Sequence, residues 1–269
     1  MKKRIHTFAG RIFASLAICA ALALLNTATA ATEDEIPGWH KGWTLAPYGW
    51  LAGLDGTVGS KTPDDGTGGI EFPPRIDLET SEDYEAIGFM FYGEWRGDRW
   101  MAFADSVWAN VSQDADLKVS RLLPESDAKA TVDGNVYQAA VGYRVAEWEN
   151  SNLLLYAGAR YYDIEAKAEL KGGILPNKLS TSTSKTWTDA VGGGRWAYRF
   201  GNNWGGFVQA DYGVGDSKSS WQVFATVGYS FSWGMVTGGY RYINLDYDTN
   251  SYKIDLSLRG PLVGVAFQF

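Results

Sequence analysis

Ten stretches of the chain alternate apolar and polar residues with a period of two: 43–58, 85–96, 100–111, 132–146, 153–166, 186–200, 204–212, 221–231, 234–244 and 252–269. A period of two sets successive side chains on opposite faces of a strand. Most stretches reach the roughly ten residues with which a tilted strand crosses a bilayer. The connections alternate too. Short turns sit at 96–99, 147–152, 201–203 and 232–234; longer polar loops sit at 59–82, 112–131 and 167–185, with tighter ones at 213–220 and 245–251. Short turns at one end and longer loops at the other are the layout of an outer-membrane barrel, with both termini on the short-turn side. The predicted fold is all-β: an antiparallel up-and-down transmembrane β-barrel of ten strands over residues 43–269, with eight or twelve strands as alternatives.

The faces follow strand by strand. Tyr137, Ala139, Val141, Tyr143 and Val145 point one way, and Gln138, Ala140, Gly142 and Arg144 the other. In the stretch 221–231, Trp221, Val223, Ala225, Val227, Tyr229 and Phe231 oppose Gln222, Phe224, Thr226, Gly228 and Ser230. The apolar face is assigned to lipid and the polar face to the lumen, because Arg144 in hydrocarbon would cost about 2–4 kcal/mol near the midplane. The last stretch breaks this rule. Ile254, Leu256 and Leu258 are even-numbered, whereas Val263, Val265, Phe267 and Phe269 are odd. Keeping both sets on lipid requires one extra residue, and the Gly260-Pro261 pair between them predicts a β-bulge. Residues 79–86 could form a short helical turn, after a loop rich in Gly, Pro and Asp.

Aromatic residues sort onto the same map. Trp43, Trp95, Trp100, Trp148, Phe200, Trp204, Phe231, Trp233 and Phe269 lie beside short turns or termini. Trp108, Tyr161, Trp187, Tyr212, Trp221 and Tyr242 lie toward the longer loops. Two belts at opposite strand ends are the girdles of the two membrane interfaces. A soluble sandwich would place its tryptophans in the core rather than next to turns.

The first 30 residues read as a secretory leader. Lys2, Lys3, Arg4 and Arg11 precede a short apolar run, and Ala28-Thr29-Ala30 forms a cleavage site before Ala31. Cleavage leaves a segment at 31–42, expected on the periplasmic side. It removes Cys19, the single cysteine, and with it any disulfide, thiol nucleophile or thiolate metal site. It also removes four cations, leaving a chain more acidic than the full-length net charge of −7. That balance excludes nucleic acid as a partner, which needs a basic face. It suits a surface protein among outer-membrane lipids and lipopolysaccharide. After the leader, no segment approaches the 18 or so uninterrupted apolar residues of a membrane helix. The 12 Trp, 15 Tyr, 12 Phe and 32 Gly of the chain fit close-packed strands with interfacial rings.

Four arginines follow glycines on the predicted lumen face: Arg144, Arg160, Arg195 and Arg241. Glu94, Asp105, Asp189, Gln209 and Asp211 share that face. One reading is a charged constriction in a narrow pore. The other is a salt-bridged plug, which agrees with the filled interior of small barrels, since open channels need 16 or more strands. Catalysis is not expected. Barrel hydrolases that use a histidine base need one near the outer edge, and the only histidine after the leader, His40, precedes the first strand. No metal or other cofactor is expected. Asp246-Tyr-Asp248-Thr-Asn250 opens like a calcium loop but carries Ser251 and Ser257 where Gly and Glu are needed. Asp64, Asp65, Asp114 and Asp116 read as solvated loop acids able to bridge divalent cations to lipopolysaccharide.

The chain ends on a strand whose last residues include Phe267 and Phe269. This resembles the terminal signal read by the barrel-assembly machinery. Further stretches are similar to an uncharacterised family of proteobacterial outer-membrane β-barrel proteins. They are Tyr48-Gly-Trp-Leu-Ala-Gly-Leu-Asp-Gly-Thr-Val58, Phe89-Met-Phe-Tyr-Gly-Glu94, Ala102-Phe-Ala-Asp105, Gly239-Tyr-Arg-Tyr242 through Asp246-Tyr247, and the Gly260-Pro261 ending. The resemblance implies a small monomeric barrel and supplies no activity. Mass spectrometry of the protein from outer membranes is expected to find Ala31 as its first residue; a retained leader would refute the cleavage site.

Overall fold

The computed structural model describes residues 41–60, 76–78, 86–114, 126–172, 179–249 and 252–269. The expected leader, the segment before residue 41 with His40, Asp64, Asp65, Asp116 and all of the turn expected at 79–86 except Ala86, which opens a strand, lie outside the described residues.

Among the described residues every regular element is a strand. In chain order they are β1 (Gly42–Ser60), β2 (Ile76–Leu78), β3 (Ala86–Arg96), β4 (Trp100–Asp114), β5 (Ser126–Trp148), β6 (Ser151–Gly172), β7 (Leu179–Arg199), β8 (Trp204–Gly215), β9 (Ser219–Phe231), β10 (Gly234–Asp248) and β11 (Tyr252–Gln268). Successive strands pair antiparallel from β3 to β11, and β1 pairs with both β3 and β11. Ten strands therefore close on themselves as an up-and-down barrel. The three-residue β2 adds only to the upper part of β1, at Gly56, Thr57 and Val58.

The closing seam keeps one register from Thr44↔Gln268 to Ser60↔Tyr252. Its ladder skips two places, around Pro47 and Pro261, since proline has no N–H to donate. The terminal residue is also fastened: the Trp43 N–H donates to the Phe269 carbonyl at 2.8 Å, and the Phe269 N–H donates back at 3.0 Å. No bulge forms at Gly260-Pro261, because β11 runs in unbroken register against β10 through Arg241↔Gly260 and Tyr240↔Pro261. The bulge lies elsewhere, between Arg144 and Ala146 where β5 meets β6.

The parity change in β11 has another cause. Ile254 and Leu256 are 1% exposed, and Leu258 packs against the same cluster. These even-numbered residues face a lumen whose outer half is apolar. Val263 and Phe269 face out, 63% and 45% exposed. The expectation that every apolar set meets lipid is therefore corrected. Gly260 is needed for a different reason: a side chain there would run into the Leu51 carbonyl on β1. The indole N–H of Trp50 donates to the Gly260 carbonyl at 3.0 Å.

Three strands outreach the bilayer. β5, β6 and β7 have 23, 22 and 21 residues, about twice what a crossing needs. Much of what reads as loop at 112–131 and 167–185 is strand, paired from Ser126↔Gly172 and from Leu170↔Leu179. These outer segments carry Ser, Thr, Lys and Glu among small apolar residues. Beyond the membrane neither face must be apolar, so the alternation that marks the lower strands fades there.

The outer surface carries the two belts. Trp43, Trp95, Trp100, Trp148, Trp204, Trp233 and Phe269 are exposed beside the short turns and termini. Tyr161, Tyr212 and Trp221 are exposed toward the other end. Trp108 lies on the outer face, stacked on Phe89 and donating to the Tyr137 hydroxyl at 3.0 Å. Trp187 is a correction. It is buried in the lumen, because it stands two residues from the inward-facing Asp189 and a strand's period puts both on one side. The folded protein is expected to migrate faster than the boiled protein on SDS gels. Gly260→Val is expected to abolish the fast band by preventing seam closure; an unchanged heat shift would refute the close approach at Gly260.

Candidate functional site

The inward positions of the lower and middle strands are polar, and the register already makes neighbours of several. Gln138 lies opposite Arg160, Arg195 opposite Gln209, and Asp211 opposite Gln222. Each pair is hydrogen-bonded: Arg160 Nη2 to Gln138 Oε1 at 2.9 Å, Arg195 Nε to Gln209 Oε1 at 2.8 Å, and Gln222 Nε2 to Asp211 Oδ2 at 2.6 Å. Adjacent strands supply these contacts; barrel closure supplies the rest.

One group lies toward the short-turn end. Arg195 on β7 reaches across to Glu94 on β3 at 2.5 Å and donates to the Tyr92 hydroxyl at 2.7 Å. Tyr92 and Arg96 both bond the same Glu94 carboxylate. The Arg195 guanidinium also lies 4.8 Å from the Phe207 ring and 5.4 Å from that of Phe103. Cation–π attraction adds to the ion pair in such a desolvated setting.

A second group crosses the waist. Arg160 pairs with Asp211, whose other oxygen accepts from Tyr156 at 2.7 Å as well as from Gln222. Gln222 Nε2 also donates to Gln138 Oε1 at 2.9 Å, and its own carbonyl accepts from Arg241 Nη2 at 2.7 Å. Arg241 pairs with Asp105 at 2.8 Å and donates to the Tyr48 hydroxyl at 3.0 Å, while Tyr48 donates to Asp105 at 2.6 Å. An unbroken polar chain thus runs from β6 through β5, β8, β9 and β10 to β4 and β1.

Of the sequence-predicted residues, Arg160, Arg195, Arg241, Glu94, Asp105, Gln209 and Asp211 meet in these groups. Two stand apart. Asp189 is fully buried but bonds the Ser217 N–H at 3.0 Å and the Ser220 hydroxyl at 2.9 Å. Its cross-strand neighbour Arg160 turns toward Gln138 and Asp211 instead. Arg144 sits at the short-turn rim, beside the β5–β6 bulge. It pairs with Glu147 at 3.2 Å and donates to the Asp98 carbonyl at 2.6 Å. Sequence reasoning missed Arg96, Tyr48, Tyr92 and Tyr156 as members. Arg96 reads as part of a turn, and tyrosines alternate with polar residues on either face; parity with Glu94 on β3 marks Tyr92 and Arg96, and parity with Arg160 on β6 marks Tyr156, whereas nothing on β1 marks Tyr48.

Burial selects four cations, Arg96, Arg160, Arg195 and Arg241, and four acids, Glu94, Asp105, Asp189 and Asp211. Among the described residues these eight buried groups balance to formal neutrality, which favours no ion sign. Among the described residues, no three of His, Cys, Asp and Glu gather as metal ligands would. Above the waist the lumen turns apolar, with Trp50, Leu54, Val107, Ile164, Leu245 and Leu256 in one buried cluster. Tyr162, Trp187 and Tyr247 stack there, with ring centroids 4.9 and 4.5 Å apart.

A closed ten-strand barrel with short turns at one end, an apolar outer band and aromatic belts is an outer-membrane β-barrel. Among solved structures, one is alike in fold and two more are weakly similar. The outer membrane protease OmpT from Escherichia coli shares 12% identity over 85% of this chain and 97% of that chain, with a TM-score of 0.57. The transport unit of the autotransporter AIDA-I from Escherichia coli is 10% identical over 93% and 97% of the two chains, with a TM-score of 0.44. The attachment invasion locus protein Ail of Yersinia pestis is 14% identical over 85% and 100%, with a TM-score of 0.39. At 12% identity the likeness to OmpT is one of fold alone. No protein-family model and no curated protein matches the sequence.

Removing one partner of a buried ion pair typically costs about 3–5 kcal/mol, whereas replacing both by apolar residues is often near neutral. Arg160→Met is therefore expected to lower stability by about that amount in denaturant titrations, and Arg160→Met with Asp211→Leu to recover most of it. A single variant as stable as the parent would refute the pair's role.

Proposed function

We propose that this protein is a closed, monomeric barrel of the outer membrane, acting through its structure or its outer surface rather than by conducting solutes. The observation that carries this reading is the polar chain from Arg160 to Tyr48 across the waist. Every guanidinium in that chain is held by a carboxylate, a glutamine or a tyrosine, so opening a path would strand buried charges. The tall wall of β5, β6 and β7 supports the surface part of the reading, because it displays strand well beyond the bilayer. Lipids and lipopolysaccharide around the aromatic belts, and the assembly machinery at the Phe269 end, are the partners it implies. We infer further that the protein is not an enzyme, as His40 is the only histidine outside the leader.

Planar-bilayer recording is the test. The purified barrel is expected to show no steady conductance at any holding potential. A steady conductance altered by Arg160→Ala, Arg195→Ala or Arg241→Ala would overturn the closed reading and put a narrow pore for small solutes or ions in its place.

A further inference from the structure

The apolar outer half of the lumen is not completely filled. A cavity of about 40 Å³ lies directly above the polar waist, walled by β1, β4, β5, β6, β10 and β11. Side chains such as Leu54, Val107, Ile164, Ile243 and Leu256 line it. Two residues tie it to the charged layer beneath. Trp50 lines the cavity and lies over the Arg241 guanidinium at 6.0 Å; Tyr162 lines it and accepts from Arg160 at 3.4 Å. Their polar atoms are already engaged, with the Trp50 N–H on the Gly260 carbonyl and the Tyr162 hydroxyl on Arg160. The lining thus offers a ligand almost nothing to hydrogen-bond.

Gly134 on β5 shows that the space is real. It lines the cavity, and a Cβ built there would meet nothing within 4 Å. A strand-interior glycine gives up packing and order, so one facing open space inside the lumen needs a reason. The volume equals that of about three waters, yet a water needs two to four polar partners, and apolar cavities stay dry and take apolar guests.

We propose that this cup binds the end of an alkyl chain, with the polar waist as its floor. The guest is a saturated hydrocarbon segment, from a free hydrocarbon or from a lipid acyl chain. Dispersion contact and exclusion from water hold it, and it does not pass the waist. The inference stands apart from the closed reading, since a cup can fill whether or not the barrel conducts.

Methyl NMR of the intact barrel in lipid nanodiscs tests it, with n-pentane as the probe. The inward methyls of Ile164, Ile243 and Leu256 are expected to shift saturably with pentane, whereas the lipid-facing Val223 and Val263 drift without saturation. Gly134→Leu, which fills the cup, is expected to abolish the saturable shift, and Gly134→Ala to weaken it while leaving the fold undisturbed. If an acyl chain already occupies the cup, the inward methyls show contacts to chain protons that vanish in lipid with deuterated chains, and Gly134→Leu removes them. The proposal is overturned if inward and outward methyls respond alike, if neither signal is seen, or if both persist in a folded Gly134→Leu barrel.

Discussion

Water cannot follow the charges at the waist of this barrel, so each must be answered by another group of the chain. That constraint organises the interior. Asp211 is met by Arg160, Tyr156 and Gln222, and Asp105 by Arg241 and Tyr48. Glutamine serves as the coupling piece because it offers an acceptor and donors on one side chain. Gln222 gives its N–H groups to Asp211 and Gln138 and takes those of Arg241 on its carbonyl. Two half-networks that would otherwise be separate ion pairs become one.

The same constraint separates the lumen into layers. Below and across the waist, charges are numerous enough to satisfy one another. Above it the inward positions are Leu, Ile, Val, Tyr and Trp, and packing replaces pairing. Trp50 belongs to both layers, with its ring over Arg241, its N–H on the β11 backbone and its face on the apolar cavity. A lumen occupied largely by side chains is what a barrel of this size allows.

How much of this was legible depended on which periodicity each residue expressed. The ten crossings, the turns and the outward tryptophans follow from alternation and from rings beside turns, and the structure has them. The inward charges were readable because Arg160, Arg195, Arg241, Glu94, Asp105 and Asp211 share parity within their strands. Two kinds of residue defeated the pattern. Apolar residues carry no mark of whether they meet lipid or lumen, so alternation alone places Ile254 and Leu256 on the lipid side and implies a bulge at Gly260-Pro261 that the unbroken register does not have. Trp187 failed for the same reason. Arg144 shares parity with the network, but the bulge after it and its place at the rim turn it toward Glu147 and Asp98. Which arginine reaches which acid across the lumen is a property of closure, which no single strand encodes.

The seam between β1 and β11 joins residues from 192 positions apart, at Ser60 and Tyr252, to 224 apart, at Thr44 and Gln268. Most other pairings are hairpins between strands adjacent in the chain. Local hairpins form early, and such distant contacts come late because loop closure costs entropy before it is rewarded. The ladder of this last seam is interrupted at both of its prolines. The contact from Arg241 on β10 to Tyr48 on β1 exists only once the seam is shut. The charge network thus acts as a latch on assembly. Neighbouring strands supply part of it, but its cross-lumen links, Arg195 to Glu94 and Arg241 to Asp105 and Tyr48, give nothing to the open sheet and must be broken before the seam can part again. Stabilisation that arises after the barrier slows unfolding without hastening folding, so a barrel with a weakened seam still gains a long lifetime once closed.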